Sequence, residues 1–317
     1  MKEKKDKKII KIDGKEYKII NESLTEILRL PIQIKVCSLL HIGAASSEKK
    51  GSVFKVDETP IIPATSFKGA LRYQLEQLFI KNFVKKEKNN HLNNLFNILN
   101  YKLPDILSKR FNYNKGENPK LEILKPCIPT QNPTKSEQEL IGKEYRQYLK
   151  LGNSRIVGCK ISISNKDISI PKTDTQEIGI CPVCYFMGAS GIMGFLRINN
   201  FFPYPEDRKI ETVAYGEKVK IEYVKPGAVF KGYIDIIIHD PVQEVQFGYP
   251  RKIGEKTIDK WLKEKDENES EKYKNERIKI LLEEILIPAI CNIKQLGGYK
   301  SRGAGKVNVD IVGNIAN

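Results

Sequence analysis

The sequence predicts an α+β fold of the ferredoxin-like type, in which helices cover one face of an antiparallel sheet. Three observations predict it. Strand-like alternation of apolar and polar residues occurs near both ends of the chain, one helical pattern follows the first strands, and a second helical pattern precedes the last strand. Outside one irregular middle segment, the order is therefore strand, helix, strands, helix, strand. The 317 residues suffice for one elaborated domain or two small ones.

The first elements of the predicted fold lie within residues 9–83. Apolar runs on both sides of Asp13 and its following glycine predict a hairpin over residues 9–20. We expect a brief helix around residues 24–30 and then a strand over residues 32–43, where isoleucines alternate with polar residues. A polar loop separates this strand from the first long helix.

The first long helix is expected to begin just after Pro63. Thr65 or Ser66 has a side-chain oxygen suited to cap it. Lys68 and Arg72 lie four residues apart near the positive end of the helix, an arrangement that suits a phosphate. Taken alone, however, the pattern favours an ordinary helix with two solvated basic residues. Apolar residues at helical spacing give the helix a buried face: Phe67, Leu71, Leu75 and Leu78 or Phe79.

We interpret the middle of the chain, residues 85–150, as an insertion, because charged and polar runs interrupt the helical and strand-like periodicity there. Residues 156–164 predict a strand or hairpin, and residues 167–176 a polar turn. A long helix before the last strand is expected to stop at Pro288. The remaining predicted strands cover residues 193–198, 229–238 and 307–312.

The charge balance indicates a class of partner. The formal net charge is +15, from 54 Lys and Arg against 39 Asp and Glu, which favours a polyanion, either nucleic acid or an anionic membrane surface. No apolar run reaches the roughly 18 residues of a transmembrane helix, and the charged start MKEKKDKK lacks the apolar segment of a secretory signal. We therefore expect a cytoplasmic protein.

Six cysteines in a cytoplasmic chain are candidate metal ligands or buried thiols rather than disulfides. Cys181 and Cys184 form a C-x-x-C knuckle, whose spacing lets two thiolates bind one tetrahedral ion. Cys127 and Cys159 are the upstream cysteines available to complete a structural zinc site. Buried free thiols or a redox pair are the alternatives.

A glycine-rich loop precedes the last predicted strand. Four glycines between Gly297 and Gly305 surround Lys300 and Arg302. Glycines allow a tight turn whose N–H groups can face phosphates, the two cations add charge, and Tyr299 can stack on a base. An ordinary hairpin loop explains the same glycines.

Three further groups have less specific patterns. His41, at the end of a predicted strand, suits acid/base chemistry, RNA contact or a structural role. Asp57 and Glu58 precede the first long helix, and can help orient a 2′-hydroxyl or a metal in RNA cleavage, or lie solvated on the surface. The aromatic run at residues 201–204 can stack on bases or fill the core.

Three stretches occur together and in order: PATSFKGALR at Pro63–Arg72, CPVCYFMGA at Cys181–Ala189, and the loop at Gly297–Gly305. In this combination the chain resembles the RAMP superfamily of CRISPR-associated proteins, and within it the repeated backbone subunits of type III effector complexes. Ala64 and Met187 replace the family's usual Gly and Phe. The resemblance spans roughly residues 39–307.

The resemblance implies a fold and a set of partners. The fold is a single domain over residues 1–317, with a ferredoxin-like (RNA-recognition-like) core, a lid inserted at residues 85–150, and a thumb hairpin with the cysteine knuckle at residues 151–200. The partners are CRISPR RNA, target RNA and other subunits of the complex, including copies of this chain or related RAMP subunits, and no membrane. Seven residues are expected to contact RNA: His41, Ser66, Lys68, Arg72, Gly298, Lys300 and Arg302.

The resemblance also implies a chemistry. In active backbone subunits, an aspartate in the loop after the first strand cleaves target RNA with a divalent metal such as Mg²⁺. Asp57 is the candidate here, and Gly51 or Ser52 is the alternative occupant of that position. The expected function is thus a CRISPR RNA-binding backbone subunit in antiviral defence, with target cleavage left open. The alternatives are a RAMP-type endoribonuclease that processes precursor CRISPR RNA through His41, and a non-CRISPR, zinc-stabilised RNA-binding protein.

Overall fold

The computed structural model describes residues 9–12, 14–43, 51–81, 98–99, 123–127, 158–164, 167–172, 177–215, 219–266 and 268–313. Its strands are β1 (Ile9–Ile12), β2 (Lys15–Glu22), β3 (Thr25–Val36), β4 (Lys55–Val56), β5 (Thr59–Pro60), β6 (Ser162–Ser164), β7 (Asp167–Ser169), β8 (Leu196–Ile198), β9 (Phe202–Pro203), β10 (Ile210–Tyr215), β11 (Val219–Val224), β12 (Val229–Asp240), β13 (Val245–Gln246), β14 (Lys252–Ile253), β15 (Lys256–Thr257) and β16 (Val307–Ile311). Its helices are α1 (Ala64–Phe79), α2 (Pro182–Met187), α3 (Glu271–Leu281) and α4 (Ile287–Cys291), with 3₁₀ turns at Pro205–Asp207 and Lys300–Arg302 and a π-helical turn at Leu282–Leu286. Within these ranges, no helix is both long and apolar enough to cross a membrane.

The main sheet is antiparallel and is centred on β3 and β12, which pair with each other. The other edge of β3 pairs with β2 in its first half and with β16 in its second half. The far edge of β12 pairs with β8, β9 and β13. The predicted combination of helices with an antiparallel sheet is confirmed, and the strands β16, β3, β12 and β8 lie side by side in that order.

The core lies between this sheet and a layer of helices. Helix α1 contacts α2, α4 and β8, and α4 contacts β16. The predicted apolar face of α1 is confirmed, since Phe67, Leu71, Leu75 and Phe79 are buried in the core. On β3, alternate residues reach the same core: Leu28, Leu30, Ile32, Ile34 and Val36.

The brief helix predicted around residues 24–30 is wrong. Residues 25–30 belong to β3, and Ser23, with φ of 58°, and Leu24 make the turn that returns the chain from β2. The cause is tertiary pairing, because this part of β3 bonds to β2 on one edge and to the distant β12 on the other. Such pairing overrides a local leucine-rich pattern.

The predicted helix stop at Pro288 is also wrong. Helical structure runs from α3 through the π-helical turn into α4, and it ends at Cys291. The Ile287 N–H donates to Leu282 O, five residues back. Pro288 therefore lies within a continuous helical run, directly after the π-helical turn, and this wider turn accommodates a residue that lacks an N–H.

The hairpin predictions have mixed outcomes. The β1–β2 hairpin is confirmed. Residues 167–169, predicted as part of a polar turn, form β7 and pair with β6, because Ser162–Ser164 supplies a partner strand two residues away. This β6–β7 hairpin lies within the segment predicted as a thumb. The predicted insertion at residues 85–150 lies outside the described residues, except for 98–99 and 123–127.

Candidate functional site

Helix α1 begins differently from the prediction. Its cap residue is Pro63, and neither Thr65 nor Ser66 makes a side-chain capping bond. Instead, the Ala64 N–H donates to Asn200 Oδ1 at 2.9 Å. The bridge between Ile62 and Phe201 brings Asn200 to this position. A distant side chain thus replaces the local cap that the sequence predicted.

An open groove of about 810 Å³ lies between the start of α1 and the glycine-rich loop. From α1, Ser66, Gly69 and Tyr73 line it at helical spacing, so they share one face of the helix. Gly69 leaves open space, since a Cβ there would meet no atom within 4 Å. From the loop side, the lining includes the cations Lys294 and Lys300 and the backbone of residues 295–298. We call this the RNA-side groove, after three of the predicted RNA contacts that line it, Ser66, Gly298 and Lys300.

The glycine-rich loop is hydrogen-bonded to the segment that follows β3. The Gly298 N–H donates to His41 O at 2.8 Å, and the Gly305 N–H donates to Leu39 O at 2.8 Å. Gly297 has φ of +75°, and a Cβ there would lie 2.1 Å from His41 O. Only glycine allows this approach of two backbones. The loop therefore forms one rigid wall of the RNA-side groove.

Lys68 and Arg72 do not line the RNA-side groove. They line a second groove of about 460 Å³ on the other flank of α1, together with Arg197 and three cysteines. We call this the cysteine-side groove. Five of the seven predicted RNA contacts thus divide between two grooves, with Ser66, Gly298 and Lys300 in one and Lys68 and Arg72 in the other. His41 and Arg302 line neither groove.

The four predicted metal ligands meet in one buried cluster. The Sγ atoms of Cys127, Cys159, Cys181 and Cys184 lie within 4.8 Å of one another, and those of Cys127 and Cys184 are 3.4 Å apart. Cys181 caps α2, and its Sγ accepts from the Cys184 N–H at 3.5 Å. A tetrahedral zinc ion with Zn–S bonds of about 2.3 Å requires sulfurs about 3.8 Å apart. The spacing, the thiol donors and the burial therefore fit such an ion.

Arg72 is a cation that hydrogen-bonds to this cluster. Its Nη2 lies 3.6 Å from the Sγ of both Cys127 and Cys184, and its Nε donates to Glu76 at 3.0 Å. Burial acts to lower the pKa of Arg72, but the neighbouring Cys184, Cys127 and Glu76 raise it above its usual value. Four thiolates around a divalent cation keep a net negative charge, and Arg72 is placed to offset part of it.

The four thiols interact with one another, and Cys127 Sγ and Cys184 Sγ are within hydrogen-bonding distance. Hydrogen bonding with Cys127 is the main cause that raises the pKa of both Cys159 and Cys184 above the usual value of a thiol. A cation that binds here must displace these protons, because thiolates are the metal ligands.

Comparison of the sequence with models of protein families identifies the family of this chain. The model of the RAMP superfamily matches residues 33–308. The chain belongs to the RAMP superfamily. The match covers the start of α1, the cysteine cluster and the whole glycine-rich loop, and residues from all three line the two grooves of this RAMP protein.

Two solved structures are similar to this RAMP protein. The crystal structure of Csc2 from Thermofilum pendens is 15% identical, with a TM-score of 0.34, over 90% of this chain and 65% of that one. The crystal structure of Cmr6 from Pyrococcus furiosus is 12% identical, with a TM-score of 0.34, over 89% of this chain and 98% of that one. This chain therefore spans less than two thirds of the Csc2 chain, and at these values neither likeness bears on function. No curated protein sequence matches it.

His41 and Asp57 have contrasting environments in this RAMP protein. His41 is only 7% exposed; its Nδ1 lies 2.8 Å from Glu222 O, and its ring contacts Tyr223 and Tyr299. Asp57 is exposed in the turn between β4 and β5, with φ of 48°. In the part of the chain that the structure describes, the cysteine cluster is the only group of three or more potential metal ligands. Asp57 therefore has no described ligand cluster around it.

Sequence reasoning missed three residues that line the grooves. Tyr73 and Lys294 line the RNA-side groove, and Arg197 lines the cysteine-side groove. Tyr73 could have been found, because it lies four residues after Gly69 and so shares its helix face. Lys294 and Arg197 have no local signal, since β16 and β12 bring them to the site.

Proposed function

We propose that this RAMP protein is a CRISPR RNA-binding subunit of a type III interference complex, and that its RNA-side groove holds the guide backbone. One observation carries the proposal: two separate family stretches, the start of α1 and the glycine-rich loop, form the two walls of one open groove. The net charge of +15 suits a phosphate backbone. Ser66 and Thr65 offer hydroxyls, and Lys294 and Lys300 offer charge, so binding depends on phosphates and 2′-hydroxyls rather than on base sequence.

Replacing Lys294 and Lys300 together with Gln should weaken binding of a single-stranded RNA. Each phosphate contact contributes about 0.7 to the salt slope on a single strand, so the slope should fall by roughly 1 to 1.5. Fluorescence anisotropy at several salt concentrations measures both quantities.

The matched control for this test is Lys252→Gln with Lys256→Gln, which changes the charge equally on the β14–β15 hairpin, outside the groove lining. It should reduce the slope by less. Arg72 is left intact, because its contact with the cysteines would confound the result. Equal slopes for the wild type and the groove variant would contradict the proposal.

We also propose that the cysteine cluster holds a structural Zn²⁺. The ion would join α2, which carries Cys181 and Cys184, to the segments that carry Cys127 and Cys159. Zinc supplies no redox chemistry, so its contribution is to fix these segments beside α1. The proximity and burial of four thiols support this choice over a redox pair.

Arg72→Met should lower the affinity for zinc by about tenfold, because loss of a group that hydrogen-bonds metal ligands typically costs that much or more. Competition with a chromophoric chelator measures the affinity. Lys68→Met, one turn earlier on α1 and exposed, is the control and should keep wild-type affinity. An Arg72→Met protein that binds zinc as tightly as the wild type would remove Arg72 from this role.

The remaining features belong to the same proposal. The order β16–β3–β12–β8, with α1 after β3 and α3–α4 before β16, supports a ferredoxin-like core. We propose other complex subunits and target RNA as further partners, and a cytoplasmic location. Cleavage of target RNA through Asp57 and Mg²⁺ stays a prediction, which an RNA-cleavage assay of the assembled complex with Asp57→Asn tests.

A further inference from the structure

The sheet has a second face, opposite the core, that is partly open. On β3, Arg29, Gln33 and Lys35 point away from the buried residues and are half-buried or exposed. On β12, Lys231 pairs with Gln33, and Tyr233 lies two residues further along, so both share this face. The face therefore combines cations with an aromatic ring.

Aromatic rings and cations alternate across this face. The Arg29 guanidinium lies 3.9 Å from the centre of the Tyr233 ring, and the Lys231 ammonium lies 4.2 Å from the centre of the Tyr204 ring. Phe202 on β9 stands directly opposite Lys231. Phe202 is 49% exposed, whereas its neighbour Phe201 is fully buried in the core. The aromatic run at residues 201–204 thus supplies one core residue and two rings on the open face.

The face carries charges of both signs, and its acidic groups are engaged by neighbouring donors. Arg29 binds Asp235 at 2.7 and 2.8 Å and also lies 3.4 Å from Glu22. Asp207 accepts from the Val229 N–H, and Asp310 accepts from Asn308. Lys231 stands opposite the exposed Phe202, and Lys35 adds an exposed cation on β3. The face offers one solvated aromatic ring among cations rather than the extended apolar patch of a stable protein interface.

The face is continuous with the cysteine-side groove. Arg197 pairs with Asp235 across β8 and β12, and it also lines that groove with Lys68. A strand that passes Lys68 and Arg197 would therefore reach the edge of the open face. None of Phe202, Tyr204 or Lys231 lines the RNA-side groove.

We propose that this open face binds a second segment of single-stranded RNA, with bases stacked on Phe202 and the neighbouring rings and phosphates near Lys231 and Lys35. Stacking on aromatic side chains with flanking cations is a general mode of binding single strands. The inference goes beyond the proposed function, because it assigns base contacts to a surface that shares no lining residue with the RNA-side groove.

The test uses the full chain, a short single-stranded RNA and the variants Phe202→Ala and Lys231→Gln. Phe202→Ala should weaken binding by about tenfold, and the loss should disappear with an RNA of equal length that lacks its bases. Lys231→Gln should reduce the salt slope. Photo-cross-linking with a 4-thiouridine RNA, followed by mass spectrometry, should map to residues 202–204.

The controls are Ile163→Ala, an apolar side chain 72% exposed on the β6–β7 hairpin, and Lys252→Gln. Both should bind RNA as the wild type does. Phe202 is at the surface, so its variant should keep the wild-type Tm. The Phe202 and the Lys294/Lys300 effects should add, since distant sites act independently.

Two results would overturn the inference. One is wild-type RNA affinity and unchanged cross-links for Phe202→Ala. The other is a Phe202→Ala protein that binds RNA as the wild type does but no longer self-associates in sedimentation. That outcome would make the face a contact between copies of the chain. If instead the Lys294/Lys300 variant binds normally while Phe202→Ala is weakened, the proposed RNA-side groove fails and this inference stands.

Discussion

Cys184→Ser is expected to abolish metal binding and to lower the free energy of unfolding by more than about 4 kcal/mol, since loss of a metal is among the few single changes with so large a cost. Cys184 is central to the cluster, because its Sγ contacts both Cys127 and the Arg72 guanidinium. Removing it leaves three buried sulfurs and a largely buried cation without their shared partner. Elemental analysis of the purified protein and denaturant unfolding measure the two effects.

Cys37→Ser provides the control, since Cys37 is exposed and lies outside the cluster. It should keep the wild-type metal content and stability. Metal should also be released as the pH falls, because protons compete with the cation for thiols whose pKa is raised. A wild-type protein purified without metal, or a Cys184→Ser protein with wild-type metal content, would rule out the zinc proposal.

Gly297→Ala is expected to lower the free energy of unfolding by roughly 1–3 kcal/mol more than Gly303→Ala, because it adds an overpacking clash to the cost of positive φ. Both glycines have positive φ, of +75° and +81°. A Cβ on Gly297 would lie 2.1 Å from His41 O, whereas a Cβ on Gly303 would meet no atom within 4 Å. Gly303→Ala thus isolates the backbone cost, about 1–2 kcal/mol.

The same pair of variants tests the RNA-side groove. Gly297 lines that groove, and relief of its clash would move the loop away from His41 and break the bond from the Gly298 N–H. Gly297→Ala should therefore weaken RNA binding, while Gly303→Ala should retain it. Denaturant unfolding and fluorescence anisotropy measure the two quantities, and equal values for both variants would contradict the tight approach of the loop to His41.

The elements that could be predicted from sequence depend on local periodicity. The buried face of α1 repeats every three to four residues, and β12 is rich in β-branched and aromatic residues, so both elements can be recognised without knowledge of the residues that pack against them. The start of β3 is a strand only because β2 and β12 bond to its two edges. Helix α1 starts without a side-chain cap of its own because Asn200 reaches its first N–H. A short stretch of sequence around β3 or α1 does not show these partners, because they lie elsewhere in the chain.

The candidate site divides in the same way. By itself, the sequence determined the residue types of the site: the cysteine pair with two upstream partners, the spacing of Lys68 and Arg72, and the glycines of the loop. Tertiary structure alone decided where those residues point. Packing of Phe67 and Leu71 into the core sets the rotation of α1, which turns Ser66 and Gly69 toward the RNA-side groove and Arg72 toward the cysteines. Helical spacing specifies which residues share a face of α1. Only the packing of α1 against the sheet and α2 specifies which parts of the protein each face contacts.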